Sequence, residues 1–460
     1  MFSRSFLFAV LSSTAFLHSV SFVRGYKIAV IGGGIGGTAT AYFLRNTLDP
    51  QPQVDVFEEN EVGGRLDLST LSGFQYELGG SIIHPRNKHV VELVNRLGLE
   101  HRSDPPFSKT SFFDGKEIVF EDSSWTVVDL AKMAWRYGPM TLYKANKQLQ
   151  DMLGHFDRIY DIQESGDCFA NVSELLSAMS PTFPAMTQTS ADTIEDLSAE
   201  FMREIVGAAL RVNYGQYSAN ATKFVTFVSL AGSEGGLWAI DGGNKRLPYA
   251  LLAAADAFLI PHKVRKVERS QDERYLLHWD QVSDTYDAVV VAAPFDGTLE
   301  LPSNMQASVR PMEGIWVTLI EASAVNSSYF GRPVSDVIAV GLAWFNSIGR
   351  VWPVDGRTPD KPVYKIFSAE KPSRQLLESV FVDVGQVEQH HWLAYPHYDW
   401  SKNADASFQL GPGLWYNNAI EWTASAMEMS LVGAKNAANC AAKHLGLALK
   451  QPEPIDKDEL

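Results

Sequence analysis

The chain is most tightly constrained near its start, where Lys27-Ile-Ala-Val-Ile-Gly-Gly-Gly-Ile-Gly-Gly-Thr38 runs an apolar stretch straight into a glycine-rich turn. Lys27 to Ile31 predicts a buried strand and Thr38 to Arg45 a helix, with Gly32, Gly34 and Gly37 spaced as G-x-G-x-x-G between them. Gly32 permits the tight turn, Gly34 lets the backbone approach a pyrophosphate, and Gly37 lets the helix pack close to its strand. Ile35 and Gly36 fall at the helix N-terminus, which attracts phosphate. Val54-Asp-Val-Phe-Glu58 predicts a second strand, and Glu58 lies about 20 residues beyond the last glycine, where a carboxylate bonds ribose hydroxyls. A glycine-rich turn alone is weak evidence. Strand, turn, helix, second strand and acid in one unit predict an α/β dinucleotide-binding domain.

The next motif separates FAD from NAD. Val62-Gly-Gly-Arg65 follows the second strand, and then Tyr76-Glu-Leu-Gly-Gly-Ser81; together they resemble the amine-oxidase-like group of FAD enzymes. The resemblance implies that Gly64 and Arg65 lie along the dinucleotide and that Gly80 and Ser81 pass near the flavin. It also implies that His262-Lys-Val264, through Val264, lays a strand against adenine.

A net charge of −15 argues against nucleic acid as a partner, since phosphate binding needs a basic surface. Met1-Phe-Ser-Arg4 and the apolar run Phe6 to Leu17 read as a signal peptide cleaved after Ser21 or Gly25, and no other segment is long and apolar enough to predict a membrane span. Lys457-Asp-Glu-Leu460 is a C-terminal retention address read by a receptor, so the endoplasmic reticulum lumen is expected, with lysosome, vacuole or secretion as alternatives. Asn171, Asn220 and Asn326 open glycosylation sequons usable there. Cys168 and Cys440 could pair in an oxidising lumen, but two cysteines so distant are expected to be separately buried. Their number, with no close His/Asp/Glu spacing, disfavours a metal mechanism.

Flavin-domain patterns return at Gly235 to Asn244 and in the apolar run Tyr286 to Pro294, and end with Leu414-Trp-Tyr416 and a helix from Thr423. The expected organisation is a signal peptide at 1–25, an FAD-binding domain in three pieces at 26–100, 231–295 and 408–450, and a substrate domain in two. Its first part, 101–230, reads as helix-rich, its second, 296–407, as richer in strands, and 451–460 is a tail. The fold class is therefore α/β: a Rossmann-like FAD-binding domain of the Gly-Gly-Arg type with an inserted α+β substrate domain.

A closer resemblance runs nearly end to end. Gly-Gly-Ser81-Ile-Ile-His84-Pro85, Arg211-Val-Asn-Tyr-Gly-Gln216, Gly236 to Lys245, Lys365-Ile-Phe-Ser368, Trp392-Leu-Ala-Tyr-Pro-His397 and Ala424-Ser-Ala-Met-Glu-Met-Ser430 resemble the prenylcysteine oxidase (farnesylcysteine lyase) family. The resemblance implies an FAD-dependent oxidation of farnesylcysteine or geranylgeranylcysteine to cysteine, prenyl aldehyde and hydrogen peroxide, with dioxygen as acceptor. An amine oxidase or a desaturase-like enzyme would share the flavin part. The candidates for catalysis are His84, which either faces the flavin or substrate or is a structural histidine bonded to backbone, and Lys365, which is either the lysine that flavin oxidases often put near the ring or a solvated lysine at a strand edge. Glu421 and the helix near Thr423 are expected at the cofactor, preceded by Ala419 where the family usually has glycine. Tyr395, His397, Trp415 and Tyr416 either line a prenyl tunnel or pack the core, and Met427 and Met429 are expected in the core. No Ser/His/Asp or Cys/His constellation can be read, and hydride transfer to a flavin needs none.

Overall fold

A computed structural model describes residues 25–102, 109–123, 126–305, 310–402 and 405–450. The signal peptide and the retention tail lie outside the described residues, Gly25 excepted.

The first strand, Lys27–Ile31, and the second, Gln53–Phe57, pair in parallel as the glycine motif requires. They belong to a six-stranded sheet ordered Phe258–Ile260, Gln53–Phe57, Lys27–Ile31, Ala288–Val291, Leu414–Tyr416 and Gln409–Gly411, parallel except at the last strand. Side chains alternate across such a sheet, and here both faces are covered. Ile28, Val30, Val54, Val56, Ala288 and Val290 face a layer of helices, Ile35–Thr47, Arg246–Ala255 and Met427–Leu445. Ala29, Ile31, Phe57, Val289 and Val291 face a three-stranded meander, Lys266–Arg269, Tyr275–Trp279 and Val282–Tyr286, where Trp279 meets the Phe57 ring edge-on at 4.9 Å. That double burial explains why the strands read as unbroken apolar runs.

A second, seven-stranded sheet carries the substrate side. Its order is Val387–Pro396, Met312–Glu321, Val363–Ser368, Ser347–Val351, Asp336–Ala339, Thr110–Phe113 and Ile118–Glu121. The last two strands come from the stretch expected to be helix-rich, so that expectation holds only from Thr126 onward. Thr110-Ser-Phe-Phe113 and Ile118-Val-Phe-Glu121 are aromatic and β-branched around a turn in which Asp114 accepts the backbone N–H groups of Lys116 and Glu117 at 2.8 and 2.9 Å and Gly115 takes φ +101°. That is a hairpin signature. Helices come next, among them Pro139–Phe156, Arg158–Glu164, Val172–Met179, Gly207–Tyr214 and Lys223–Ala231.

The cysteines correct a second expectation: Cys168 and Cys440 are joined in a disulfide. Distance along the chain was a poor guide because the C-terminal helix bonds directly to the segment around Cys168. Asn436 accepts the Phe169 N–H at 2.9 Å, and Asn439 Nδ2 donates to the carbonyls of Gln163 and Asp167 at 2.9 and 3.0 Å. Ala419 lies fully buried in a 3-10 turn, Asn417–Trp422, and is absent from the positive-φ residues, so its methyl group brings no backbone strain. No helix among the described residues is long and apolar enough to cross a membrane.

Candidate functional site

The glycine turn opens a cleft at the carboxyl ends of the parallel strands. Gly32 has φ +112°, and a Cβ there would stand 2.8 Å from the Ala292 carbonyl oxygen. A Cβ on Gly37 would run into the Gly32 carbonyl, and one on Gly36 into the Asn417 amide. Gly34 differs. Its backbone is extended, at φ −73° and ψ −176°, and a Cβ would have no neighbour nearer than 3.9 Å, because it would point into the cleft. Helix Ile35–Thr47 starts at Gly34 without a side-chain cap, which turns its unsatisfied N–H groups toward the same space. The Gly-Gly-Arg turn is docked against the first turn by the Gly63 N–H, which donates to the Gly33 carbonyl at 3.0 Å, and Gly63 and Gly64 both need positive φ.

Glu58 lines this cleft with its carboxylate fixed by two backbone donors, Gly33 N–H to Oε2 at 2.8 Å and Asn60 N–H to Oε1 at 2.9 Å. A carboxylate has about four acceptor sites, so capacity for ribose hydroxyls remains. Glu58→Ala is expected to weaken cofactor binding by about 1.5 to 3 kcal/mol, one charge-assisted hydrogen bond, in a reconstitution titration. An unchanged affinity would leave Glu58 as a turn-former only.

The opposite wall comes from the other end of the chain. Arg65 forms an ion pair with buried Glu421 and donates through Nη1 to the Ala394 carbonyl at 2.8 Å and to Ser425 Oγ at 3.3 Å. Glu421 also accepts from Asn418 Nδ2 at 2.9 Å, so its described bonds go to protein groups it orients. Asn418 Oδ1 is buried in the cleft wall with no hydrogen-bond partner among the described residues. The second helix N-terminus, Met427–Leu445, starts from Ala426 on this wall, also without a side-chain cap. Two helix N-termini, the open space at Gly34, an oriented carboxylate with acceptor capacity to spare and an unsatisfied amide oxygen form a donor and acceptor set that fits a dinucleotide.

Gly79, Gly80, Tyr395, Phe367 and Met427 are shared with a second cavity of about 280 Å³. Its wall is largely apolar, with Met152, Leu153, Phe156, Val212, Val228, Leu237 and Met429, and it carries the polar groups His84, Arg86 and Asp157. Tyr395 meets Tyr214 edge-on at 5.2 Å, and burial pushes both phenols above their ordinary range. The junction is held by Asn244, fully buried, whose Nδ2 donates to the Gly80 carbonyl at 2.9 Å.

The residues singled out from sequence are distributed unevenly over this geometry. Gly32, Gly34, Ile35, Gly36, Gly64, Arg65, Gly80 and Glu421 line the cleft; Gly37 packs beneath it; Ser81 lines the second cavity. Val264 sits in the core in an irregular segment between two strands and does not line the cleft. His84 lines the second cavity, with Nδ1 accepting the Arg86 N–H and Nε2 facing Glu234 Oε2, each at 3.1 Å. Lys365 is buried behind the Gly79–Ser81 segment, its Nζ 3.2 Å from the Glu77 carbonyl and 3.5 Å from Ser81 Oγ. Burial pushes its ammonium down to about 8, with the Glu77 carboxylate working the other way. Of the tunnel candidates, Tyr395 lines both spaces, Trp415 and Tyr416 are core, and His397 is half exposed and paired with Glu313 at 3.2 Å. Asn418, Asn244, Arg86 and Asp157 escaped the sequence reading. Adjacent asparagines at 417 and 418, between Leu414-Trp-Tyr416 and Ala419-Ile420, were the available signal for Asn418, since a polar group buried there needs a partner.

Residues 120–455 match the family model described as prenylcysteine lyase, and residues 30–97 match one for an NAD(P)-binding Rossmann-like domain. The chain is 34% identical to prenylcysteine oxidase 1 of Homo sapiens, over 90% of this chain and 88% of that protein. It is 32% identical to prenylcysteine oxidase 1-like of Mus musculus, over 90% and 89%. Among solved structures, a double mutant of putrescine oxidase superposes with a TM-score of 0.62 at 13% identity, covering 92% of this chain and 99% of that one. Cyclohexylamine oxidase from Brevibacterium oxydans gives 0.57 at 16%, covering 92% and 100%. The structural likenesses are of fold.

Proposed function

Because this chain belongs to the prenylcysteine oxidase family, we propose that it oxidises the thioether of farnesylcysteine and geranylgeranylcysteine with FAD as cofactor and dioxygen as final oxidant. The observation that carries the reading is the adjacency of the two spaces: a cleft fitted to a dinucleotide and an apolar cavity with charged groups in its lining share Gly79, Gly80, Phe367, Tyr395 and Met427 as a common wall. FAD, when bound, supplies an acceptor for a hydride from the carbon between sulfur and the allylic double bond, where the positive charge left behind is stabilised from both sides. Water adds at that carbon, a proton leaves, and the hemithioacetal breaks its carbon–sulfur bond to give aldehyde and cysteine. The balance is prenylcysteine, water and dioxygen to aldehyde, cysteine and hydrogen peroxide.

The protein's own part is positioning and exclusion of bulk water. Asn244 and Lys365 fix the Gly79–Ser81 segment between the two spaces, and Tyr395, Phe367 and Met427 narrow the junction with apolar surface. The Arg65–Glu421–Asn418 network sets the donors of the far wall before anything binds. His84, with both ring nitrogens engaged, braces Glu234 and the Arg86 backbone; its part is orientation at the cavity wall.

Incubated with farnesylcysteine in air, the protein is expected to release cysteine, farnesal and peroxide in equal amounts, with the aldehyde oxygen drawn from labelled water. Peroxide from primary amines or polyamines but none from prenylcysteines would overturn the substrate assignment and leave the flavin reading standing.

The address belongs to the same proposal: entry by the signal peptide and retention in the endoplasmic reticulum through Lys457 to Leu460 and their receptor. Asn220 is the best-presented glycan acceptor. It is exposed, whereas Asn171 and Asn326 use their side-chain oxygens to cap helices and Asn326 Nδ2 also donates to the Ser379 carbonyl at 2.9 Å. Deleting the last four residues is expected to relocate an active protein; unchanged location would dismiss the retention mechanism.

A further inference from the structure

The second cavity is apolar along most of its wall, so each charged group in its lining needs a reason to be there. Glu428 is accounted for. It is fully committed to the fold, accepting the His89 and Val90 N–H groups at 2.9 and 3.0 Å and the Tyr160 hydroxyl at 2.7 Å. His84 is engaged at both nitrogens. Arg86 and Asp157 remain, paired with each other at 2.7 Å with about a third of each side chain still accessible, while the more exposed Lys88 Nζ stands 3.9 Å from the other Asp157 oxygen.

Both are held where they stand by the fold. Arg86 follows the Gly79–Ser81 segment; its N–H is fixed on His84 Nδ1, its carbonyl lies 3.2 Å from the Tyr160 hydroxyl oxygen, and its Nη1 donates to Gln150 at 3.1 Å. Asp157 is the corner residue between helices Pro139–Phe156 and Arg158–Glu164. Arg86 and Asp157 are thus one cation and one anion on fixed backbone, side by side in the lining of an apolar cavity. A guanidinium has five donors and a carboxylate about four acceptor sites, so their mutual bond leaves both able to bind more. The ligand complementary to such a pair has an adjacent anion and cation, no net charge and an apolar body. An amphiphile with a neutral head would leave the pair bound only to itself, and one with a single charge would leave one member unmatched in a poorly solvated place.

We infer that Arg86 and Asp157 receive the free α-amino acid head of the substrate, carboxylate on Arg86 and ammonium on Asp157, and so select free prenylcysteine over prenyl thioethers lacking either charge. The inference rests on the function proposed for the chain. It makes the pair a specificity determinant remote from the bond that breaks, with the apolar wall taking the chain.

Three substrates test it: S-farnesylcysteine, S-farnesylcysteamine, which lacks the carboxylate, and S-farnesyl mercaptopropionate, which lacks the amine. The wild type is expected to prefer the first by about 10- to 100-fold in kcat/KM, the weight of one charge-assisted hydrogen bond. Arg86→Gln should lose that factor on farnesylcysteine, mainly through KM, and lose little on the cysteamine thioether, which offers the guanidinium nothing. Asp157→Asn should show the mirror pattern, sparing the mercaptopropionate. Arg86→Lys should recover part of the loss. Parallel losses on all three substrates, or a wild type indifferent to the head group, overturn the inference, and the wild-type comparison stands even where a variant does not fold. Equilibrium dialysis of S-dodecylcysteine against S-dodecylcysteamine, whose saturated chains have no allylic carbon to oxidise, separates this from the function itself. Tight, Arg86-dependent retention of the first by a protein that oxidises no prenylcysteine would support the head-group site and remove the oxidase reading; equal retention of both overturns the site.

Discussion

Gly34→Val yields a folded, colourless protein. The backbone at Gly34 is one that any residue adopts, and nothing of the protein stands within 3.9 Å of the new Cβ, so the substitution costs the fold little. What the side chain occupies is the cleft itself, at the N-terminus of helix Ile35–Thr47, where a pyrophosphate would be held. Affinity for FAD should fall by about 10³-fold or more, which corresponds to about 4 kcal/mol. Visible absorbance of the purified protein and a reconstitution titration read the loss, and circular dichroism reads the fold. The contrast with its neighbours sharpens the test: the same change at Gly32 or Gly37 drives the side chain into the Ala292 or Gly32 carbonyl and should damage folding as well. A yellow Gly34→Val protein of normal affinity would sink the cleft assignment.

Lys365→Met gives a more stable and slower enzyme. Burial holds the Lys365 ammonium down at about 8, against about 10.4 for a free lysine. A lysine with a depressed folded-state value binds its proton less readily in the native state than in the unfolded chain. Wild-type stability therefore rises as pH climbs from about 8 to about 10.4, and below that window the buried charge is a standing cost of about 3 kcal/mol, partly offset by its bonds to the Glu77 carbonyl and Ser81 Oγ. Methionine removes the cost and the slope together. Denaturant midpoints of both proteins across this pH range give the check: the stability difference between them should shrink as pH rises. A cation retained at that expense behind the segment separating the two spaces is proposed to assist reaction with dioxygen electrostatically, so kcat/KM for oxygen should drop by about 10²-fold in the variant and, in the wild type, decline above about pH 8. A pH-independent stability difference would show that Lys365 carries no perturbed charge; unaltered oxygen kinetics would return it to structure.

The features legible in the sequence are the local ones. The glycine turn, its two strands and Glu58 are contiguous, and their spacing alone specified where the cleft begins. The Arg65–Glu421 pair joins residues 356 apart, and its two members could be singled out only separately, through family resemblance. The Thr110–Glu121 hairpin was hidden by the helical weight of the residues from Thr126 onward, although its Asp-Gly turn was in plain view. His84 was placed beside the substrate space by its neighbours Gly80 and Ser81, but its partner Glu234 is distant in sequence, and without that partner its role as a brace was indistinguishable from direct chemistry. Arg86 and Asp157 show the same limit: each is an ordinary charged residue until the helix corner at 157 brings them together.

The strand order of the parallel sheet also bears on how the protein is made. Its central pair joins Lys27–Ile31 to Ala288–Val291, and the next strand outward is Leu414–Tyr416. A nascent chain emerging from the ribosome thus presents the glycine turn long before the residues that cover it. The wall bearing Asn418, Glu421 and the helix from Met427 arrives last, and with it Cys440, the partner of Cys168. A ligand that binds only the finished cleft stabilises the native state and not the intermediates that precede it. A flavin that binds this cleft is then expected to raise the yield of mature protein only after synthesis is complete, read as more protein surviving in flavin-replete cells than in flavin-starved ones.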